Sequence, residues 1–415
     1  MSMLKKTLYQ DPQSHNGVLG GLTVFHVPKT ELRNFRLIDF GVATYTGGAN
    51  RQYAYSAGAM SLIDTITVFD GSVELAQVRG VGYLGAKRQQ DDSGAQNFSV
   101  GSTLYGSQLV YDPAVTISAR VNSVNLGQGT SALVQIDLGK ILPIFYGLDL
   151  DAYGKMSRAV KGGKRKQVRE LIKQANVIPA RDMDLRIVIQ YTSLTASQLF
   201  KNGVDTDQVT FQRPILVVDE IVGAPRQTDF QIVYDVYDVE NVTLPAVAAT
   251  VTASTPNLRL QGADGSYLKE VSLINAQYPG STLNANFKGF SSTAQNEETI
   301  NLIVNSELLL PVDCDTPARK QMFFNYNSPR AILPILTNLY GHGGTTDLYS
   351  GNGTTNLQTM SYISLDVEKK ISSLFLQYSR KGFVAGAGIE SINLIAMYTI
   401  QKVLQHKMGR SVVVG

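Results

Sequence analysis

Tryptophan is absent from this 415-residue chain, cysteine occurs once, and histidine occurs four times. A lone Cys314 excludes a disulfide framework within the chain and fits folding in a reducing compartment. His15, His26, His342 and His406 are far apart, and none belongs to an HxH or HExxH pattern. A duplicated β-sandwich metalloenzyme would need a cluster of His with a carboxylate, so no metal and no other cofactor is expected. The Gly-x-Ser-x-Gly elbow and the Gly-x-x-x-x-Gly-Lys phosphate loop are also missing. Charge is scarce: 17% of residues are Asp, Glu, Lys or Arg, against about 25% in ordinary soluble domains. Ser, Thr, Asn, Gln and Gly take their place. A polar, weakly charged surface suits one covered by protein neighbours, because buried charge needs a partner. It also suits an extracellular β protein. The net charge of +3 requires neither nucleic acid nor membrane as partner. No apolar run approaches the roughly 18–20 residues of a membrane span. Met1-Ser2-Met3-Leu4-Lys5-Lys6 leads into polar residues, so no signal peptide is expected.

What is present is a succession of short strands. Leu22–Val27 is β-branched and stops at Pro28, and Ser61–Val68 breaks at Asp70-Gly71. Val115–Val121, Ala132–Leu138 and Leu185–Tyr191 follow, and Ile215–Val218 closes the first half. Phe230–Tyr237 opens the second half and Ile392–Ile400 closes it. One stretch differs: Val168, Leu171, Ile172 and Ala175 are spaced as one face of a helix. Long polar stretches at 275–300 and 340–360 exceed tight hairpins and read as contact-making loops. The expected organisation is a loose N-terminal arm (1–18), a first sandwich (19–222), a linker (223–227), a second sandwich (228–403) and a C-terminal tail (404–415). The fold class is all-β, with two-layer Greek-key sandwiches too large for immunoglobulin modules of about 100 residues.

Short strings repeat between the halves. Ile141-Leu142-Pro143-Ile144 recurs as Ile332-Leu333-Pro334-Ile335. Asp70-Gly71-Ser72 recurs as Asp264-Gly265-Ser266, and Ile189-Gln190-Tyr191-Thr192 is echoed by Leu376-Gln377-Tyr378-Ser379. One four-residue match is about what chance supplies. Three in the same order, at near-constant offset, read as a duplication. Both Ile-Leu-Pro-Ile strings are expected to be equivalent, with Leu142 and Leu333 buried and the prolines ending or redirecting strands.

The strand leading into a Leu-Pro-rich segment (Val134–Phe145), the helix-bearing loop after it, the strand Leu185–Tyr191, and the second Leu-Pro-rich segment within 330–340 form an ordered set. This set resembles the double jelly-roll major capsid proteins of the adenovirus and tailless-phage lineage, particularly the shorter members of polinton-like viruses and virophages. The likeness covers roughly residues 20–402 and rests on architecture and short strings. It implies two tandem eight-stranded jelly-roll sandwiches with short helices in loops. It also implies homotrimeric, pseudo-hexameric capsomers of an icosahedral shell. Neighbouring capsomers and minor capsid or penton proteins would be the partners, and the product would reside in the virion after synthesis in host cytoplasm.

Other candidates weigh less. Lys164, Arg165, Lys166 and Arg169 centre the one strong basic cluster, which runs from Lys155 to Lys173 and is opposed only by Glu170. It could contact nucleic acid, an acidic partner or a polyanionic receptor. It could equally be the solvated face of a helix whose Val168, Leu171 and Ile172 pack on the sheet. Gly382–Gly388 is glycine-rich but lacks the strand-turn-helix context of a dinucleotide site. The pairs Asp91-Asp92 and Glu297-Glu298 read as solvated loop residues. Sequons at Asn97, Asn241 and Asn352 read as unused without a signal peptide. Two further functions fit a duplicated sandwich. An attachment or carbohydrate-binding protein is weakened by the missing Trp. A jelly-roll hydrolase is weakened by the scarce His and the missing motifs. The sequence thus favours a structural protein over an enzyme.

Overall fold

Alternating apolar residues build the strands. In Leu185–Tyr191, residues Leu185, Ile187, Ile189 and Tyr191 are buried while their neighbours are more accessible, the period of a half-buried β-strand. The structure is a computed structural model. It describes residues 4–46, 52–53, 58–82, 84, 132–148, 177–201, 204–222, 226–244, 252–254, 258–276, 296–309, 362–382 and 392–415. The first half contributes β1 (Leu4–Gln10), β2 (Leu22–His26), β3 (Glu31–Tyr45), β4 (Ile63–Asp70), β5 (Val73–Arg79), β6 (Ala132–Asp137), β7 (Leu185–Tyr191) and β8 (Ile215–Val222). The second contributes β9 (Phe230–Leu244), the broken pair β10 (Thr252–Ser254) and β11 (Leu258–Arg259), β12 (Tyr267–Ala276) and β13 (Asn296–Val304). It continues with β14 (Glu307–Leu308), β15 (Tyr362–Lys370), β16 (Leu374–Gly382), β17 (Ile392–Lys407) and β18 (Arg410–Val414).

All strand pairing among the described residues is antiparallel. The first half forms one sheet in the order β1-β8-β3-β6 and another in the order β2-β7-β4-β5. Short strands at Ile178–Pro179 and Val209–Phe211 also pair with β3. The second half forms β9-β17-β12-β15, and opposite it β10/β11-β16-β13-β14. Counting β10/β11 as one interrupted strand, both halves have the order 1-8-3-6 over 2-7-4-5. That is the jelly-roll connectivity, twice in one chain. The all-β expectation and the double jelly roll hold. Apolar side chains from both halves form a continuous buried core.

Strand order also sorts the repeats. Ile189 lies in β7, flanked by Thr23 of β2 and Ile66 of β4. Leu376 lies in β16, flanked by Leu258 of β11 and Leu302 of β13. These are the same positions in the two sandwiches, so the weakest match marks a genuine equivalence. The Asp-Gly-Ser match does not. Asp70-Gly71-Ser72 turns between β4 and β5, whereas Asp264-Gly265-Ser266 turns between β11 and β12. What these two turns share is local: Gly71 and Gly265 both have positive φ, +57° and +80°, where glycine carries no steric cost. Each glycine N–H donates to a carbonyl just ahead of the seventh strand, Asp184 at 3.0 Å and Ile371 at 2.9 Å.

Both chain ends differ from expectation. The segment expected as a loose arm carries β1, paired with β8 from Leu4↔Val222 to Gln10↔Leu216. The segment expected as a tail completes β17 and adds β18, paired from Val403↔Val414 to Lys407↔Arg410. Polar sequence hides β1, since an edge strand buries little and needs few apolar residues; β18, with Val412, Val413 and Val414, is short and follows directly on the turn after β17. Glu297 and Glu298 sit in β13, not in a loop. Val115–Val121, the helical stretch around Val168 and the loop 340–360 lie outside the described residues.

Candidate functional site

Of the residues singled out from sequence, Lys164, Arg165, Lys166, Arg169, Ile332, Leu333, Pro334 and Ile335 lie outside the described residues. By chain order the second string falls between β14 and β15, whereas Ile141–Ile144 follows β6. Ile141–Ile144 is described. Asp137 ends β6 and caps a single helical turn, Leu138–Ile141, accepting from Gly139 N–H at 2.9 Å. Pro143 then starts a 3-10 turn over Pro143–Tyr146, where its missing N–H costs nothing. The strand has already ended at Asp137, so Pro143 shapes a helical turn and does not terminate the ladder. Leu142 is buried as expected, with Ile141, Ile144 and Phe145. Phe145 stacks on Phe35 of β3 at 4.2 Å between centroids. The same turn packs against β9 of the second half. The string is therefore a wedge at the junction of the two sandwiches.

That junction holds a polar cluster that crosses between the two halves. Asp70 at the end of β4 accepts from Ser411 Oγ of β18 at 2.6 Å. Its other oxygen accepts from Asp184 N–H at 2.7 Å. His406 of β17 is fully buried. Its Nδ1 lies 2.9 Å from Ser411 Oγ and 3.9 Å from Asp70 Oδ2, and its ring stacks on Phe230 at 4.9 Å. The Tyr234 hydroxyl, on β9, donates to the Leu75 carbonyl of β5. Burial pushes the Tyr234 phenol upward, with the Glu74 charge adding to it, so it stays a donor at any ordinary pH. Arg226 of the linker grips Asp182 of the first half through two nitrogens, at 2.5 and 3.2 Å. An Asp, a His and a Ser lie together here, with His406 fully buried. Ser411 spends its proton on Asp70, so the arrangement is a fastening and lacks the geometry of a nucleophile activated by a base.

A second polar cluster fastens β1. Asp219 of β8 has a fully buried carboxylate. It accepts from Lys5 at 2.9 Å, Asn34 at 2.7 Å and Thr7 at 3.0 Å, with Arg36 at 3.5 Å. Burial alone would raise its pKa, but the hydrogen bonds from Lys5, Asn34 and Thr7 outweigh that and hold it below the usual carboxylate value. Asn34 reaches Asp219 because β3 bulges there: Asn34 has φ 53° and the β3–β8 register shifts beside it. In a third network, His15 Nδ1 lies 2.8 Å from Thr23 Oγ1, which in turn contacts the Tyr191 hydroxyl at 2.9 Å. Burial pushes Tyr191 up to about 12. No group of three or more His, Cys, Asp or Glu placed to hold a metal occurs among the described residues.

Sequence reasoning missed Asp70, Ser411, His406 and Asp219 as fastenings. The available signal was an ionisable residue interrupting an apolar run: Asp219 after Ile215–Val218, and His406 in phase with the buried face of β17. Asn241, the one sequon among described residues, has an exposed side chain on β9.

No protein-family model matches the chain, and no curated protein matches it by sequence. Solved structures do match. The crystal structure of PBCV-1 VP54 fitted into a reconstruction of the virophage Sputnik aligns at 11% identity, covering 100% of this chain and 97% of that one, with a TM-score of 0.57. The mavirus major capsid protein aligns at 10% identity over 98% and 90%, with a TM-score of 0.51. The Faustovirus major capsid protein aligns at 9% identity over 97% and 90%, also at 0.51. The chain shares the fold of these proteins over nearly its whole length.

Proposed function

We propose that the chain is a viral major capsid protein that forms homotrimeric, pseudo-hexameric capsomers of an icosahedral shell. The observation that carries this reading is the double jelly roll itself. Two sandwiches with identical strand order stand in one chain, and the whole chain follows the fold of capsid subunits from PBCV-1, mavirus and Faustovirus. Three chains carrying two like sandwiches each present six similar units around one axis, which suits tiling by sixfold neighbours. The low charge density supports extensive contact with neighbouring capsomers and with minor capsid or penton proteins. The polar fastenings support it too, because they tie the two sandwiches to each other. The protein would work in the virion, without catalysis or cofactor. No described helix is long and apolar enough to cross a membrane. The division into a first sandwich up to residue 222 and a second from 228 belongs to this proposal, with β1 and β18 added to their sandwiches.

Negative-stain electron microscopy of the purified chain tests the reading. Particles of threefold symmetry with a near-hexagonal outline are expected. A field of single two-lobed particles at micromolar concentration would favour the attachment-protein alternative.

A further inference from the structure

One edge of the first sandwich is closed by the chain between β1 and β2, and a single imidazole reaches both sheets there. Ser14–His15 pairs with the edge of β2 away from β7, His15 opposite Thr23. Gln13 and Asn16 N–H donate to the Val24 and Leu22 carbonyls, each at 2.8 Å. The same segment then turns to the other sheet. The Gly17 carbonyl accepts from Phe211 N–H at 2.8 Å, and Val18 bridges to Thr210. Val209–Phe211 belongs to the sheet of β3. The ring of His15 spans that change of sheet, with Nδ1 2.8 Å from Thr23 Oγ1 and Nε2 3.2 Å from the Phe211 carbonyl oxygen. Gly17 makes the reach possible, since a Cβ there would stand 2.5 Å from that oxygen and 2.6 Å from Nε2. A carbonyl only accepts, so Nε2 carries the proton. Nδ1 of the neutral ring then accepts from Thr23 Oγ1, which accepts in turn from the Tyr191 hydroxyl at 2.9 Å. Thr23 and Tyr191 are fully buried, and the ring meets Tyr191 edge-on at 6.2 Å. Within this row, every donor finds an acceptor only while His15 is neutral.

We propose that His15 is an acid-released latch on this edge: neutral, it fastens the segment Gln13–Val18 to both sheets, and protonated, it lets that segment lift away. The latch lies within one chain and does not depend on assembly. A second ring proton makes Nδ1 a donor, so one hydroxyl proton of the Thr23–Tyr191 pair loses its acceptor. Among the described residues, the charged group acting on the ring is Arg213, on the connection after Phe211, and it repels an imidazolium. Arg213 is held there by the Pro12 carbonyl at 3.2 Å and by Asp11 at 3.9 Å. Tyr191 is the other titratable group in contact, and it stays neutral because burial lifts it to about 12. Burial is the largest influence on His15 and lowers its pKa from 6.5; the Phe211 carbonyl opposes this and Arg213 adds to it. Lifting returns the ring to solvent and to its ordinary pKa, so the lifted segment takes up the proton first. Lifting therefore grows as pH falls below 6.5, by about tenfold for each pH unit, and levels off below the depressed value of the latched ring. Buried Glu31, raised from 4.5 to about 7, loses stabilisation as pH rises, so global stability would mask the latch and a local readout is needed. Asp219 of the β1 clamp titrates below 3.8, outside this range.

The experiment is amide hydrogen exchange on the full-length protein as purified, corrected for intrinsic rates, from about pH 7 to about pH 5. Amides of Gln13, Asn16 and Phe211 report the segment, because each closes one of its bonds to a sheet. In the wild type their opening should rise as pH falls, by up to about tenfold per unit, while amides of Leu302 and Leu376 in the second sandwich hold steady. His15→Gln cannot gain a charge and should abolish the rise, whatever its baseline. A His15→Gln profile that keeps the wild-type rise overturns the proposal. Should His15→Gln fail to fold, Arg213→Gln decides. It removes the repelling charge, so the latched ring titrates nearer its ordinary value, and the rise should be smaller and level off at higher pH. An unchanged rise in that variant would also overturn the proposal.

Discussion

Asp219→Ala is the sharpest structural perturbation available outside the junction. The carboxylate is fully buried and takes Lys5, Thr7 and Asn34 at 2.7–3.0 Å. Removing one partner of a buried ion pair costs about 3–5 kcal/mol where the other charge stays buried. Here Lys5 is half exposed and can rehydrate, so about 2–3 kcal/mol is the appropriate magnitude, near that of one hydrogen bond to a charged group. The loss falls on β1, an edge strand whose own side chains are largely exposed. Its detached population should rise about thirtyfold or more, since each 1.4 kcal/mol is tenfold. Brief trypsin treatment with mass spectrometry reads this as cleavage after Lys5 and Lys6, while the rest of the chain stays intact. Acid should imitate the variant. Asp219 titrates below its ordinary 3.8, so its stabilisation is complete above that value and is lost as pH falls through the lower, folded-state pKa. Amide exchange in β1 of the wild type should therefore accelerate in acid, and Asp219→Ala should lack that component. Equal cleavage rates for variant and wild type at neutral pH would refute the assignment of Asp219 as the clamp.

Other expectations are simpler. Leu142→Ala should cost about 2–5 kcal/mol in denaturant unfolding, because it empties a core site between the sandwiches; a cost below about 0.5 kcal/mol would show the wedge to be superficial. Tyr234→Phe leaves the buried Leu75 carbonyl without its junction donor and should destabilise by about 1–3 kcal/mol, with unchanged melting as the contrary result. Replacing Lys164, Arg165 and Lys166 with Gln should lower the log–log salt slope of polyanion binding by roughly 2–3 if three phosphate contacts are lost, and an unchanged slope removes any binding role for them.

Much of the fold was legible in sequence where one face is buried and the other is not. Burial in Leu185–Tyr191 alternates strictly, and its bounds are legible to the residue. The class followed from several such segments, and the duplication from the repeated strings, of which Ile189 and Leu376 hold equivalent places. The ends were not legible. Leu4–Gln10 is polar because it lies at an edge, held by Asp219 more than by apolar burial. The long strands β9 and β17 extend to Leu244 and Lys407, past the segments legible in sequence. Repeated strings misled where a local conformation recurs without the topology. A turn needing positive φ selects Asp-Gly wherever it occurs, so Gly71 and Gly265 matched in residue type but not in place. The junction was illegible for another reason: Asp70, His406 and Ser411 are up to 341 residues apart in sequence, and only the completed fold brings them together.

The central claim is that this chain is a shell-building subunit whose working unit is three copies. Multi-angle light scattering on the purified protein at micromolar concentration measures that unit directly. The account predicts a single species of about three times the 45.2 kDa chain mass, with no monomer visible, as expected of an interface burying more than about 2,000 Å². A monodisperse monomer that fails to assemble across concentration and salt would contradict it.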